Sequence, residues 1–452
     1  MNMPVLVAPR TDAISDSRSS RSLLSPVVLY GTFGLLLFGP LAFGAVEPWA
    51  IFTLEAGAAL LFVLWAVWQV SSGELRIFNS PLFLPMLAFE VLVVLQLFTG
   101  RTSYRYVTES SALLYCAYGL ICFLAVQSLR RGHQVESLAW LISCYGAAMA
   151  MFALIQGIAS NGKLYWLRTP RLGGWIYGPY VNHNHYAGLM EMLVPVPLVV
   201  AVAHSVPQAR RAAAGVAAAL MATTIFLSGS RGGMLAFALE MAILGAVLIR
   251  RGSSRTVALT LGAMFVVVVG MLTWLGGAEL TARIASVRPD VHADVSGAMR
   301  LDIDRDALRM FSHRPLLGWG LGVFPTVYPQ YRSFYTNVFV NQAHNDYVQL
   351  LVELGTLGFA VMLWFLVVSY YRGIKKLGNW SKDPNGAIAL AALLGISGIL
   401  VHSFVDFNLQ VPANAAIFYV LCVVAAMKPR FGTFSRIRTR RRRPESPGQL
   451  SA

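Results

Sequence analysis

Three side chains able to do chemistry sit where polar sequence meets long apolar runs. They are His344 in Asn341-Gln-Ala-His-Asn-Asp-Tyr347, Arg231 between glycines in Ser228-Gly-Ser-Arg-Gly-Gly233, and Arg300 at the start of an amphipathic stretch. A histidine of ordinary basicity is suited to take the proton of an attacking sugar hydroxyl. Two guanidiniums can hold a pyrophosphate through paired hydrogen bonds without a metal ion. The loop of Arg231 is so short that it must lie at helix ends, where unpaired backbone amides add to anion binding, and its glycines let a ligand approach the backbone. Each residue also has a plain alternative: His344 can cap its helix, and arginines beside a membrane can reach headgroup phosphates. Asn182 and Asn184, in Val181-Asn-His-Asn-His185, offer hydrogen bonds to a substrate, as do Asn345, Asp346 and Arg305. His402, with Asp406 four residues on, belongs to the same group of possible contacts. His183 and His185 are two residues apart without a third ligand nearby, which does not make a zinc site. No metal or cofactor is expected.

The elements that must position these residues are membrane helices. The 452 residues are 56% hydrophobic and 13% charged, with mean hydropathy +0.59, more apolar surface than a soluble fold can enclose. Twelve runs are long enough to span hydrocarbon, near 24–44, 49–70, 81–99, 110–129, 135–158, 185–204, 211–228, 232–250, 256–276, 345–371, 386–406 and 410–427. The expected fold is therefore all-α and polytopic, with about 12 transmembrane helices and one larger loop domain. Residues 1–22 lead into a run too long for a cleaved leader and lacking a small-residue exit, so that run reads as the first span. The expected organisation is a cytoplasmic arm over 1–23, helices 1–9 over 24–276, a helical loop domain over 277–344, helices 10–12 over 345–427 and a basic cytoplasmic tail over 428–452. With both termini cytoplasmic, 23 of the 36 Lys and Arg lie inside and six lie outside the long loop, as orientation by positive charge requires. Arg231, Arg300 and His344 then share the outer face, the periplasm of a bacterial inner membrane.

The net charge of +15 lies in short loops and the tail rather than on a folded domain, so nucleic acid is not an expected partner. Residues 428–443 suit anionic membrane lipids instead. The four cysteines fall inside apolar runs without paired or metal-binding spacing. Residues 300–314 read as an amphipathic helix, with Leu301, Leu308 and Phe311 as its apolar face, ending before Pro315. Gly318-Trp-Gly-Leu-Gly322 reads as a flexible turn and lacks the context of a dinucleotide site. Glu353 falls on one helical stripe with Asp346 and Gln349, about 180° around from His344, which points to locking the helix rather than sharing proton transfer. Intramembrane carboxylates such as Glu191, Glu240 and Glu353 also suit a transporter or flippase of lipid-linked glycan. Such proteins place binding groups near the midplane, whereas the polar residues here gather at one face.

The chain resembles the O-antigen ligase and polymerase-like membrane glycosyltransferases over roughly 110–425. The resemblance rests on Val181-Asn-His-Asn-His-Tyr-Ala-Gly188, Ser228-Gly-Ser-Arg-Gly-Gly233, the Arg300 to Phe324 stretch with Arg314-Pro-Leu-Leu-Gly-Trp-Gly320, and Ala343-His-Asn-Asp-Tyr347 through Glu353-Leu-Gly355. It implies a GT-C-like fold and a donor glycan on undecaprenyl diphosphate. It also implies diphosphate contacts from Arg231 and Arg300 and assistance to the acceptor from His344. Lipid A-core or another glycan is the implied acceptor. Many ligases carry Ser after the histidine where this chain carries Asn345, so a polysaccharide polymerase or a protein O-oligosaccharyltransferase remains an alternative.

Overall fold

The computed structural model describes residues 24–73, 75–170, 175–250, 297–336 and 339–429, with single helical positions at 262, 266 and 270. The arm over 1–23, the span near 256–276 as a whole, the 277–296 part of the loop domain and the tail beyond 429 lie outside the described residues. Among the described residues no strand occurs, and isolated bridges join Leu164 to Arg168 and Tyr177 to Tyr180. The protein is an all-α polytopic membrane protein. Nine described helices are long and apolar enough to cross a membrane, and Phe83–Phe98 and Pro412–Ala426 are shorter apolar ones.

In chain order the helices are α1 (Leu24–Leu41), α2 (Pro48–Ser71), α3 (Phe83–Phe98), α4 (Arg105–Ser128), α5 (Gly132–Ile158), α6 (His183–Leu193), α7 (Pro195–Val202), α8 (Gln208–Leu227), α9 (Arg231–Ile249), α10 (Gly297–His313), α11 (Asp346–Ile374), α12 (Pro384–His402) and α13 (Pro412–Ala426). Pro195 and Pro197 cannot donate into a continuing ladder, so the run near 185–204 becomes two successive helices. Every residue of α6 is buried. With α7 and α12 it forms the centre of the bundle, against which α8, α9 and α13 pack. The outer helices instead turn side chains such as Phe52 and Phe98 outward, which suits hydrocarbon and would be an aggregation surface in water.

Three expectations are corrected around α10 and α11. The helix expected over 300–314 runs over Gly297–His313, but its buried side is Ile303, Ala307 and Met310, while Leu301 is 67% exposed and Leu308 also faces out. Of the expected apolar face only Phe311 packs inward, against the cluster that includes Phe324, Tyr328 and Val352. The run 345–371 reads as one membrane-spanning helix, and α11 is interrupted within it at Gly355, whose φ of 66° and ψ of −168° only glycine adopts easily. The chain at 315–320 fills the interruption. Thr356 N donates to Pro315 O (2.8 Å), Leu357 N to Leu316 O (3.2 Å), Trp319 N to Val352 O (3.0 Å) and Gly320 N to Glu353 O (3.0 Å). The glycine-rich segment is therefore pinned rather than a flexible turn. At Gly318 a Cβ would lie 2.4 Å from the Glu353 carbonyl carbon, so no side chain fits.

Candidate functional site

Glu353 and Asp346, two turns apart on one stripe of α11, both serve as clamps. Glu353 accepts from Gly322 N (2.8 Å), Phe324 N (3.3 Å) and Gln349 Nε2 (3.2 Å), which ties the 318–324 segment to the helix. Asp346 accepts from Ser403 Oγ (2.8 Å), Leu409 N (3.1 Å) and Gln410 Nε2 (3.1 Å), and its own amide donates to Ser403 O (3.0 Å). The loop after α12 is thus fixed against the start of α11. Asn345, not His344, is the helix cap: its Oδ1 accepts from Tyr347 N (3.1 Å) and Val348 N (3.2 Å). His344 precedes the cap with φ of 56°, a conformation that costs a non-glycine residue energy and that the surroundings must impose.

That loop carries the residue on which the site converges. Asp406, almost wholly buried, has His185 Nε2 at 3.7 Å and His344 Nδ1 at 3.9 Å from its Oδ1, and Arg300 Nη2 at 3.8 Å from its Oδ2. Burial pushes the Asp406 carboxyl up, but His185, Arg300 and His344 more than offset this and hold it well below the usual carboxylate range. The Phe407 ring lies edge-on to both imidazoles, 4.7 Å from His185 and 4.8 Å from His344 between centroids. Arg300 also donates from Nη1 to Val405 O. One turn along α10, Asp304 meets the Asn345 amide at 3.4 Å. Burial raises the Asp304 carboxyl above its ordinary range, with Asn345 and Arg300 pulling the other way.

Arg231 arrives from a different direction. Ser230 caps α9 by accepting from Gly233 N (3.1 Å). A Cβ on Gly232 would lie 2.5 Å from His402 Cδ2 and 3.1 Å from Val405 Cγ2, so the N-terminus of α9 rests on both. Val405 therefore touches the Arg231 backbone segment on one side and accepts from the Arg300 guanidinium on the other. Beside it, Trp175 lies against Gly229 and 4.5 Å from the His183 ring.

Of the residues singled out in the sequence, His344 and Arg300 meet at Asp406, and Arg231 borders the cluster. Asn182 caps α6 by accepting from Asn184 N (2.8 Å), and Asn184 itself is buried. Arg305, 72% exposed, pairs with Asp302 at 3.2 Å and lies about 140° around α10 from Arg300. His402 is buried in the bundle, its Nδ1 3.1 Å from Glu191 Oε1. Asp406 and His185 carry more of the site than their sequence context signals. Both sit at the ends of apolar runs, and only their meeting in space sets them apart. Among the described residues, no three His, Cys, Asp or Glu side chains are arranged to hold a metal ion.

Residues 216–363 match the family model described as O-antigen ligase. Over 363 residues the chain is also 23% identical to an O-antigen ligase of Pseudomonas aeruginosa, covering 77% of each protein. Both are similarities to O-antigen ligases. The matched segment contains Arg231, Arg300 and His344. His185 and Asp406, which face them, lie outside it.

Proposed function

We propose that the protein transfers a glycan from an undecaprenyl-diphosphate carrier to an acceptor hydroxyl at the periplasmic face of a bacterial inner membrane, with both termini cytoplasmic. One observation carries this reading: two histidines and an arginine face a single buried carboxylate, with the turn that carries Arg231 packed against the same loop through Gly232. His344 takes the proton of the acceptor hydroxyl, whose oxygen attacks the anomeric carbon. The bond from that carbon to the diphosphate oxygen breaks, and the diphosphate leaves on its polyprenyl chain. Arg231 and Arg300 hold the diphosphate and stabilise the charge that develops on it. Attack opposite the leaving group inverts the anomeric centre. Asp406 keeps the imidazole oriented and stabilises it once protonated.

Purified protein in liposomes, given undecaprenyl-diphosphate glycan with lipid A-core or with no separate acceptor, tests this. Discrete transfer to lipid A-core is the expected product of a ligase, and a ladder on the lipid diphosphate is that of a polymerase. His344→Ala abolishes turnover while the protein stays folded. Absence of product from every donor and acceptor pair, with donor bound, refutes the transferase reading, and an unimpaired His344→Ala variant refutes the role of His344.

A further inference from the structure

Three of the elements just described are tied to one buried imidazole that cannot itself touch a substrate. His402 ends α12 and is 1% exposed, its Nδ1 3.1 and 3.2 Å from the two oxygens of Glu191, which is fully buried on α6. Glu191 stands six residues after His185 on the same helix, so the pair sets how far α6 stands from α12. The opposite edge of the ring carries the start of α9, since a Cβ on Gly232 would sit 2.5 Å from Cδ2 and 2.6 Å from Nε2. The His402 carbonyl accepts from Val405 N (3.0 Å) and Asp406 N (3.1 Å), which starts the turn that presents Asp406. Beneath the pair, Glu240 of α9 is fully buried against Gly398 of α12, with no hydrogen-bond partner for either oxygen among the described residues. Asp406 and Arg300 are the charged groups that face His402 from above.

We infer that the Glu191–His402 pair is the positioning device of the site, a hydrogen-bonded wedge that fixes His185, the Arg231 turn and Asp406 relative to one another. It rests on the transferase reading for its kinetic consequence but not for its structural one. A polar pair inside an apolar bundle costs desolvation and adds little to stability compared with a packed apolar pair. Its geometric effect is specific, because an imidazole ring in one orientation gives α9 a flat face to rest on and gives Glu191 a donor. Loss of that orientation lets three elements shift by fractions of an ångström. Such shifts lower turnover without removing any group that touches substrate.

The test compares Glu191→Leu, which fills the same space without an acceptor, with Glu191→Gln, whose amide oxygen can still accept from Nδ1. Neither residue belongs to the groups assigned to donor or acceptor. Hydrogen–deuterium exchange of the full-length protein in detergent is expected to quicken together at 183–186, 229–233 and 403–411 in the Leu variant, with the remaining helices unchanged and the Gln variant like wild type. Turnover per folded molecule is expected to fall about 10- to 100-fold in the Leu variant, with KM for the donor within threefold, and to return to within threefold of wild type in the Gln variant. Faster exchange confined to the neighbours of residues 191 and 402 overturns the inference. So does a turnover per folded molecule that the Leu variant leaves unchanged, or that the Gln variant fails to restore. If wild type transfers no glycan but the three segments loosen together, the transferase reading fails and the positioning device stands.

Discussion

Asp406→Asn asks how much one carboxylate does for the site. The substitution keeps the volume and keeps an oxygen to accept from Phe407 N, which Asp406 Oδ1 does at 2.8 Å. It removes the charge and turns the other oxygen from an acceptor into an amide donor. With His344 Nδ1 3.9 Å away, an effective dielectric constant of about 20 gives an attraction of roughly 4 kcal/mol between the carboxylate and a protonated imidazole. Arg300 stands 3.8 Å from the other oxygen and offsets part of that field, so roughly half the figure, about 2 kcal/mol, is left to stabilise the imidazolium formed as the acceptor loses its proton. Lost from the transition state, that is about a 30-fold fall in turnover. The assay is initial rate of glycan transfer in proteoliposomes at saturating donor, with the melting temperature measured in parallel. A variant that keeps more than a third of the wild-type rate while folded refutes the role given to Asp406. The pH dependence follows from the sign of the shift. A carboxyl held below its ordinary range in the folded protein stabilises the fold at pH values above the unfolded range, and that contribution is lost only as pH falls through the lower folded value. Asp406 itself therefore adds no limb to the rate or stability profile between about pH 5 and 8, and the ratio of wild-type to Asn-variant rate is set by charge rather than by its titration.

Three further substitutions probe the frame and the anion site. Gly355→Ala forces a Cβ to within 2.3 Å of Leu316 O at φ of 66°, a backbone strain of about 1–3 kcal/mol before any clash, so the melting temperature falls by several degrees; an unchanged value shows that the break in α11 is not rigid. Arg231→Lys and Arg300→Lys each lose the planar fork that a diphosphate engages and are expected to weaken binding of undecaprenyl diphosphate about tenfold, measured by microscale thermophoresis in detergent. Wild-type affinity in either variant removes that arginine from the anion site.

Single-sequence reading served best where the signal is local. The apolar runs of α1 to α9 and α11 to α13 announce themselves because each buried or lipid-facing residue adds to one running average. The bounds of α10 were legible from its period and from Pro315. Its inward face was not, because Leu301, Leu308 and Phe311 compete with Ile303, Ala307 and Met310, and only the neighbours Phe324, Tyr328 and Val352 choose between them. Glu353 was legible as a clamp from its place on the wheel, whereas its partners Gly322 and Phe324 come from 29 to 31 residues away.

The sequence by itself determined an all-α membrane protein in which His344 and Arg231 stand at the ends of apolar runs and Arg300 opens an amphipathic stretch, since hydrophobicity and helical period are properties of short windows. Tertiary structure alone decided that His344 and Arg300 share Asp406 with His185, that His402 turns inward to Glu191 rather than outward to a ligand, and that Gly355 opens α11 to the 315–320 segment. Those are pairings across 62 to 221 residues of chain for Asp406 and 211 for His402. A charge inside an apolar bundle settles on whichever partner the packing brings within reach, and no local window contains that choice.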